Sequence, residues 1–124
     1  MVSELISRDS TLSAEEMKKS RIYNYRTHLR TITKSLIEMA KASGRTEYTS
    51  NQLLRECYQQ EDSEFHTLSE WNEMGAYVRK VEHAYLFWGA PVRHPKGYQY
   101  NPIEFLFSRE QVQFREKYKK NLHI

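Results

Sequence analysis

Cations and aromatic rings recur together along this chain, at spacings that suit one kind of chemistry. Arg79 and Lys80 stand ahead of Tyr85, Phe87 and Trp88, and Lys96 is followed by Tyr98 and Tyr100. Cations follow phosphates while aromatic faces stack on bases, each stack contributing roughly 1–3 kcal/mol, so such interleaving suits a surface that holds an unpaired nucleic-acid strand. A third set, Arg26, Arg30 and Lys34, falls at i, i+4 and i+8 and lines up on one side of a helix. The plainer reading makes those cations a solvated helix face and the large rings core. On that reading Trp71, Phe87 and Trp88 are expected inside. Tyr98 and Tyr100 are the better stacking candidates, because they oppose the apolar face of their strand.

Other chemistries lack their signatures. The sequence holds no HExxH, no glycine-rich phosphate loop and no GxSxG. The five histidines, His28, His66, His83, His94 and His123, are scattered over different elements and offer no metal-ligand spacing. Glu61, Asp62 and Glu64 could be paired carboxylates, but no partner base or pocket is predicted near them, and the acids of that loop are expected to keep it soluble. Cys57 stands alone, so no internal disulfide and no CxxC motif is available, and a reducing, cytoplasmic compartment is the simplest expectation. Neither a signal-peptide run nor a membrane-length apolar segment is present. A non-enzymatic protein without cofactor or metal is therefore expected.

A chain of 124 residues fits one domain with one core, residues 1–12 forming a polar and mobile start. Nine tyrosines and an aromatic share of 13% argue against disorder. The net charge is only +3, but its distribution is uneven. From Lys18 to Arg45 the charged residues are Lys18, Lys19, Arg21, Arg26, Arg30, Lys34, Lys41 and Arg45, with Glu38 the sole acid. A block of that kind makes a local positive field despite the modest total.

The elements that would position these residues can be read from periodicity. Ser13 followed by Glu15 and Glu16 is a helix start, and Ile22, Tyr25, Leu29, Ile32, Leu36 and Met39 recur every three or four residues, so a helix is expected to about Ala42, stopped by Ser43-Gly44. Thr49 or Ser50 can cap a second helix with Leu53, Leu54, Cys57 and Tyr58 inward. An acidic loop, "QEDSEFHT", separates it from a third, which Thr67 caps with Glu70 in a capping box and Gly75 ends. From Tyr77 the period moves towards two: "AYVRKVEHAYLFWGA" reads as one or two strands, "PVRHPKG" as a turn and "YNPIEFLFS" as the returning strand, with Ile103, Phe105 and Phe107 on its core face. Ser108, with Gln111 three residues on, opens an expected closing helix to about Asn121.

The order Asn51-Gln52-Leu53-Leu54, a polar loop, Trp71, Met74-Gly75, Val78, Arg79-Lys80, Glu82, an aliphatic-aromatic strand and Pro91 resembles the N-terminal domain of the ArdC antirestriction family. The resemblance covers roughly Tyr48 to Pro91 and places Asn51, Trp71, Gly75, Val78 and Glu82 on motif positions. Val81 and Ala84 stand where the family pattern has glycine or a glycine-like residue, and the metalloprotease-like domain fused to it in that family has no counterpart here. The resemblance implies binding of single-stranded DNA and protection of DNA transferred by a mobile element.

The expected architecture is α+β: a long helix and two short ones on a small antiparallel sheet, with a closing helix. The expected partner is single-stranded DNA, with Arg26, Arg30, Lys34, Arg79, Lys80 and Lys96 on phosphates and Tyr98 and Tyr100 on bases. Two alternatives remain at this stage. A winged-helix-like duplex binder would use the helix at Ser50 and the turn at His94 to Gly97 as a wing. A small inhibitor encoded by a phage or mobile element would use the exposed rings on a protein partner.

Overall fold

A computed structural model describes residues 13–116 and is α+β, as expected. Helix α1, Ala14–Ala42, starts where Ser13 accepts a hydrogen bond from the Glu16 amide. It ends in a Schellman-type turn, with the Arg45 N–H donating to the Ala40 carbonyl (2.7 Å) and the Gly44 N–H to that of Lys41 (3.1 Å). Thr49 caps α2, Ser50–Cys57, through a full capping box with Gln52. Strand β1, Phe65–His66, and helix α3, Leu68–Glu73, follow, the latter with the expected Thr67–Glu70 capping box. Hydrogen bonds from the Thr67 backbone and side chain hold the Glu70 carboxyl below its ordinary range. Gly75, with φ 87°, turns the chain in a left-handed conformation that a side chain would strain.

The strands make three small antiparallel sheets. In the first, β6, Ile103–Ser108, lies between β1 and β3, Tyr85–Trp88, with Tyr85 opposite Leu106 and Trp88 opposite Ile103. In the second, β2, Ala76–Val78, pairs with β7, Val112–Phe114. The third is a hairpin of β4, Val92–Arg93, and β5, Gln99–Tyr100. The stretch from Ala76 to Trp88 is thus two strands that serve different sheets, and the expected turn carries a small sheet of its own.

Two hydrophobic clusters replace the single core expected. Leu29, Leu54 and Phe87 centre the first, joined by Ile32, Leu36, Tyr58, Phe65 and Leu106 among others. Trp71, Ala76 and Val112 centre the second, with Val78, Phe107 and Phe114 around them. The Trp71 indole N–H donates to the Phe107 carbonyl (2.8 Å), so even its polar atom is satisfied. Leu106 and Phe107, neighbours on β6, belong to different clusters, so β6 is packed on both faces.

Several expectations require correction. The segment Ser108 to Asn121 does not begin as a helix: Arg109–Gln111 is a single 3₁₀ turn, and Val112 and Phe114 alternate on β7 because β2 offers them a partner. The Ser108 N–H still donates to Gln111 Oε1 (2.8 Å), so the capping signal marked a turn. The rest of the proposed helix, from Lys117, lies outside the described residues, as do residues 1–12. The acidic loop contains β1, and its Phe65 packs into the first cluster. Phe105, expected on the core face, is 38% exposed, and its ring meets that of Tyr25 on α1 near-perpendicularly at 5.7 Å instead of joining either cluster. Ile22, Tyr25 and Met39 are exposed on α1, whose buried positions are Leu29, Thr33 and Ala40. Cys57 is exposed too, bordering a small pocket of about 180 Å³ between α1 and α2.

Tyr58, which follows α2, donates its hydroxyl to the Leu86 carbonyl (2.8 Å), and burial pushes its pKa up to about 12. The neutral phenol is the form the fold favours. Its contribution is therefore complete below the unfolded value near 10 and is lost as pH rises through 12. In Tyr58→Phe, denaturant midpoints at pH about 9 and about 11.5 should differ less than in the wild type. Equal alkaline losses in both proteins would contradict this role.

Candidate nucleic-acid interface

The site is built outward from the free edge of β3. As the outer strand of its sheet, β3 has unpaired peptide groups on one side, and side chains of the α2 region satisfy them. Asn51 donates its amide N–H to the Trp88 carbonyl (2.8 Å), and its amide oxygen accepts from the Trp88 N–H (2.9 Å). Two residues back along the strand, Tyr58 caps Leu86. Asn51 and Tyr58 are seven residues apart and lie on one side of α2. The Trp88 indole N–H donates to Thr33 Oγ1 (3.0 Å), whose own hydroxyl donates to the Leu29 carbonyl (2.7 Å). Trp88 is held at its backbone by α2 and at its ring by α1.

Beyond Trp88 the chain is equally constrained. The Gly89 N–H donates to the Pro102 carbonyl (2.7 Å), and a Cβ at Gly89 would stand 3.1 Å from the proline ring and 3.3 Å from that oxygen. Asn101 Nδ2 donates to the Gly89 carbonyl (2.9 Å). These contacts fix one wall of an open groove of about 960 Å³ between α1, the start of α2 and the end of β3. Arg26, Arg30, Lys34 and Lys41 line it from α1, with Glu38 among them; Trp88, Asn51 and Asn101 line the other side.

Arg26 joins the cation row to the rings. Its guanidinium carbon lies 5.7 Å from the Trp88 ring centroid and 5.7 Å from that of Tyr100, and Nη2 donates to the Asn101 carbonyl (3.0 Å). Such placement orients a planar cation while leaving other N–H groups available. Among the described residues, Arg30, Lys34 and Lys41 have no acid within ion-pair distance. Arg45 is different, since it pairs with Glu56, whose carboxyl is drawn below its ordinary range by that hydrogen bond, and it lies over the Tyr48 ring at 4.5 Å.

The ring cluster continues into the β4–β5 hairpin. His94 and Tyr98 stack at 4.5 Å with planes 8° apart, and Tyr100 is 6.2 Å from each. Tyr98 and Tyr100 are exposed, as expected of stacking residues. Lys96 is at the tip, its N–H donating to His94 Nδ1 (3.1 Å). The structure therefore brings Arg26, Arg30, Lys34, Tyr98, Tyr100 and Lys96 onto the groove and its adjoining hairpin.

Arg79 and Lys80 belong elsewhere. Arg79 Nη1 donates to the Glu110 carbonyl (2.5 Å) and its backbone N–H to Gln111 (3.1 Å), which ties it to the β2–β7 side. Lys80 is exposed in the following turn, and neither lines the groove. The resemblance positions serve the fold: Trp71, Gly75 and Val78 build the second cluster and its turn, the Glu82 N–H donates to the Arg79 carbonyl (3.2 Å), and Asn51 holds Trp88. Trp88, expected in the core, packs half-buried against the first cluster and also lines the groove, while Lys41 and Asn101 in the groove and His94 in the hairpin were not singled out by the sequence. Lys41 stands seven residues from Lys34, two turns along α1, which was its signal; Asn101 had none, because its place depends on Gly89 and Pro102.

Among the described residues no three potential metal ligands cluster, and no helix is long and apolar enough to cross a membrane. Comparison of the chain with protein-family models, curated proteins and solved structures finds no match in any of the three.

Replacing Asn51 by Ala should cost about 1–3 kcal/mol, because both Trp88 backbone groups lose their partner in a half-buried place. Urea midpoints measure the loss. A tryptophan emission maximum shifted to the red would report a loosened Trp88. An unchanged midpoint and spectrum would show that the amide does not hold that edge.

Proposed function

We propose that the protein binds single-stranded DNA without catalysing a reaction. Phosphates run along α1 over Arg26, Arg30 and Lys34, and bases stack on Trp88, Tyr100 and Tyr98. The observation that carries this reading is Arg26 between Trp88 and Tyr100, which makes the cation row and the exposed rings one continuous surface. Ring faces accept any base, so binding should tolerate sequence. Arg79 and Lys80 have no part in it. Shielding of DNA in transfer, the role implied by the resemblance to the ArdC N-terminal domain, agrees with such a surface and rests on the quoted motif residues alone. The exposed Cys57 thiol fits a reducing, cytoplasmic setting.

Duplex reading by α2 is less well supported, because the side chains a recognition helix would offer are engaged. Asn51 holds Trp88, Arg55 donates to the Ser63 carbonyl (2.8 Å) over the Phe65 ring, Gln52 closes the capping box and Glu56 pairs with Arg45. A protein partner has one favouring observation: every residue from Ser13 to Tyr25 is exposed, including Met17, Ile22 and Tyr23.

Fluorescence anisotropy with labelled single strands and duplexes of equal length, at low and moderate salt, tests the proposal. The single strand should bind more tightly, with quenching of tryptophan emission. Arg30→Gln with Lys34→Gln should flatten the salt dependence by about 1.4, at ~0.7 per cation removed, and leave thermal stability unchanged. A duplex preference would favour the winged-helix reading, and no binding to either would sink the nucleic-acid reading in favour of a protein partner.

A further inference from the structure

The cation row on α1 is interrupted at a defined place. Arg26, Arg30 and Lys34 are four residues apart, a rise of about 6 Å per step, close to the phosphate-to-phosphate step of an extended single strand. The next position in the series is Glu38, and beyond it Lys41 is again a cation. All five line the same groove, so Glu38 faces the path the phosphates would take. It is exposed, and among the described residues no cation lies within ion-pair distance to neutralise it. It is also the sole acid between Lys18 and Arg45.

We propose that Glu38 is the end stop of the phosphate track. A strand engages Arg26, Arg30 and Lys34 with consecutive phosphates and leaves α1 at Glu38, where like charge disfavours a fourth, instead of continuing to Lys41. The other end stays open, because the track runs past Arg26 onto Tyr100 and the hairpin rings. The inference rests on the single-strand reading and adds a boundary to it: binding energy stops growing once the strand spans the hairpin and three phosphates on the helix. Glu38 thereby sets site size, and contact with the strand is not required of it.

The test measures affinity against length for oligothymidylates of about two to about ten nucleotides, a range that brackets short single-strand sites. Wild type, Glu38→Gln, Glu38→Lys and a control, Glu61→Lys, are compared at two salt concentrations. Glu61 is exposed and does not line the groove, so its variant reproduces the change in total charge alone. Thermal melts check that each variant is folded. Wild-type affinity should reach a plateau with length. Glu38→Lys should move that plateau at least one nucleotide longer and steepen the salt dependence by about 0.7–1.4, one or two added phosphates. Glu38→Gln should give a smaller shift in the same direction, and Glu61→Lys none. Tighter binding by Glu38→Lys with an unmoved plateau, equal gains in Glu61→Lys, or no change would overturn the end stop while leaving single-strand binding intact. Absence of wild-type binding at every length would remove both.

Discussion

The outer edge of β3 is the constraint on which the arrangement depends. Peptide groups at a sheet edge need partners, and another strand is the usual supplier. Here Asn51 supplies one donor and one acceptor to Trp88, and Tyr58 supplies a donor to Leu86 two residues away. An amide side chain suits this task because it carries both polarities in the spacing of a peptide group. The helix lies along the strand with Leu54 buried beside Phe87, while Leu53 is buried towards α1. Helix α1 then crosses where Thr33 meets the Trp88 indole. The groove follows from these placements.

A second consequence concerns the relation of core to surface. Trp88 lies neither wholly inside nor wholly outside: its ring is half-buried against the first cluster while the Arg26 guanidinium of α1 lies over it. The groove is therefore continuous with the core, and its geometry inherits the rigidity of packed side chains. The hairpin rings differ. They are joined to the body through Arg26 and Asn101, two polar residues in contact with each other. Strand β6 plays the comparable part for the two clusters, since its neighbours Leu106 and Phe107 pack against one each.

Much of the helical structure was legible because its signals are local. Ser13, Thr49 and Thr67 each cap the helix their spacing announced, and Ser43-Gly44 closes α1. Strands were legible in kind but not in pairing, because partners such as β2 and β7 are decided by distant residues. Ser108 and Gln111 show the limit of a local rule: the same reciprocal bond that opens a helix also closes a tight turn, and Val112 and Phe114 then follow β2. Helical spacing put Arg26, Arg30 and Lys34 on one side of α1, where they line the groove, and ring placement put Tyr98 and Tyr100 on the exposed face of the hairpin. Proximity in sequence placed Arg79 and Lys80 with the rings that follow them, whereas Arg79 is bonded to the 3₁₀ turn and neither lines the groove.

Helix α1 is supported over only part of its length. From Ser13 to Tyr25 every residue is exposed, and Arg26 is the first half-buried one. Apart from the contact of Tyr25 with Phe105, this segment has no buried side chain, and a helix of about a dozen such residues is marginal in water, so its persistence depends on the part that follows. Unwinding from the amino end can therefore advance through three turns without loss of the groove, and the next turn would carry Arg26 away from Trp88 and Tyr100 together. The boundary between fraying helix and anchored helix falls on the residue that joins cations to rings, which makes the coherence of the whole surface a matter of helix–coil balance at one turn.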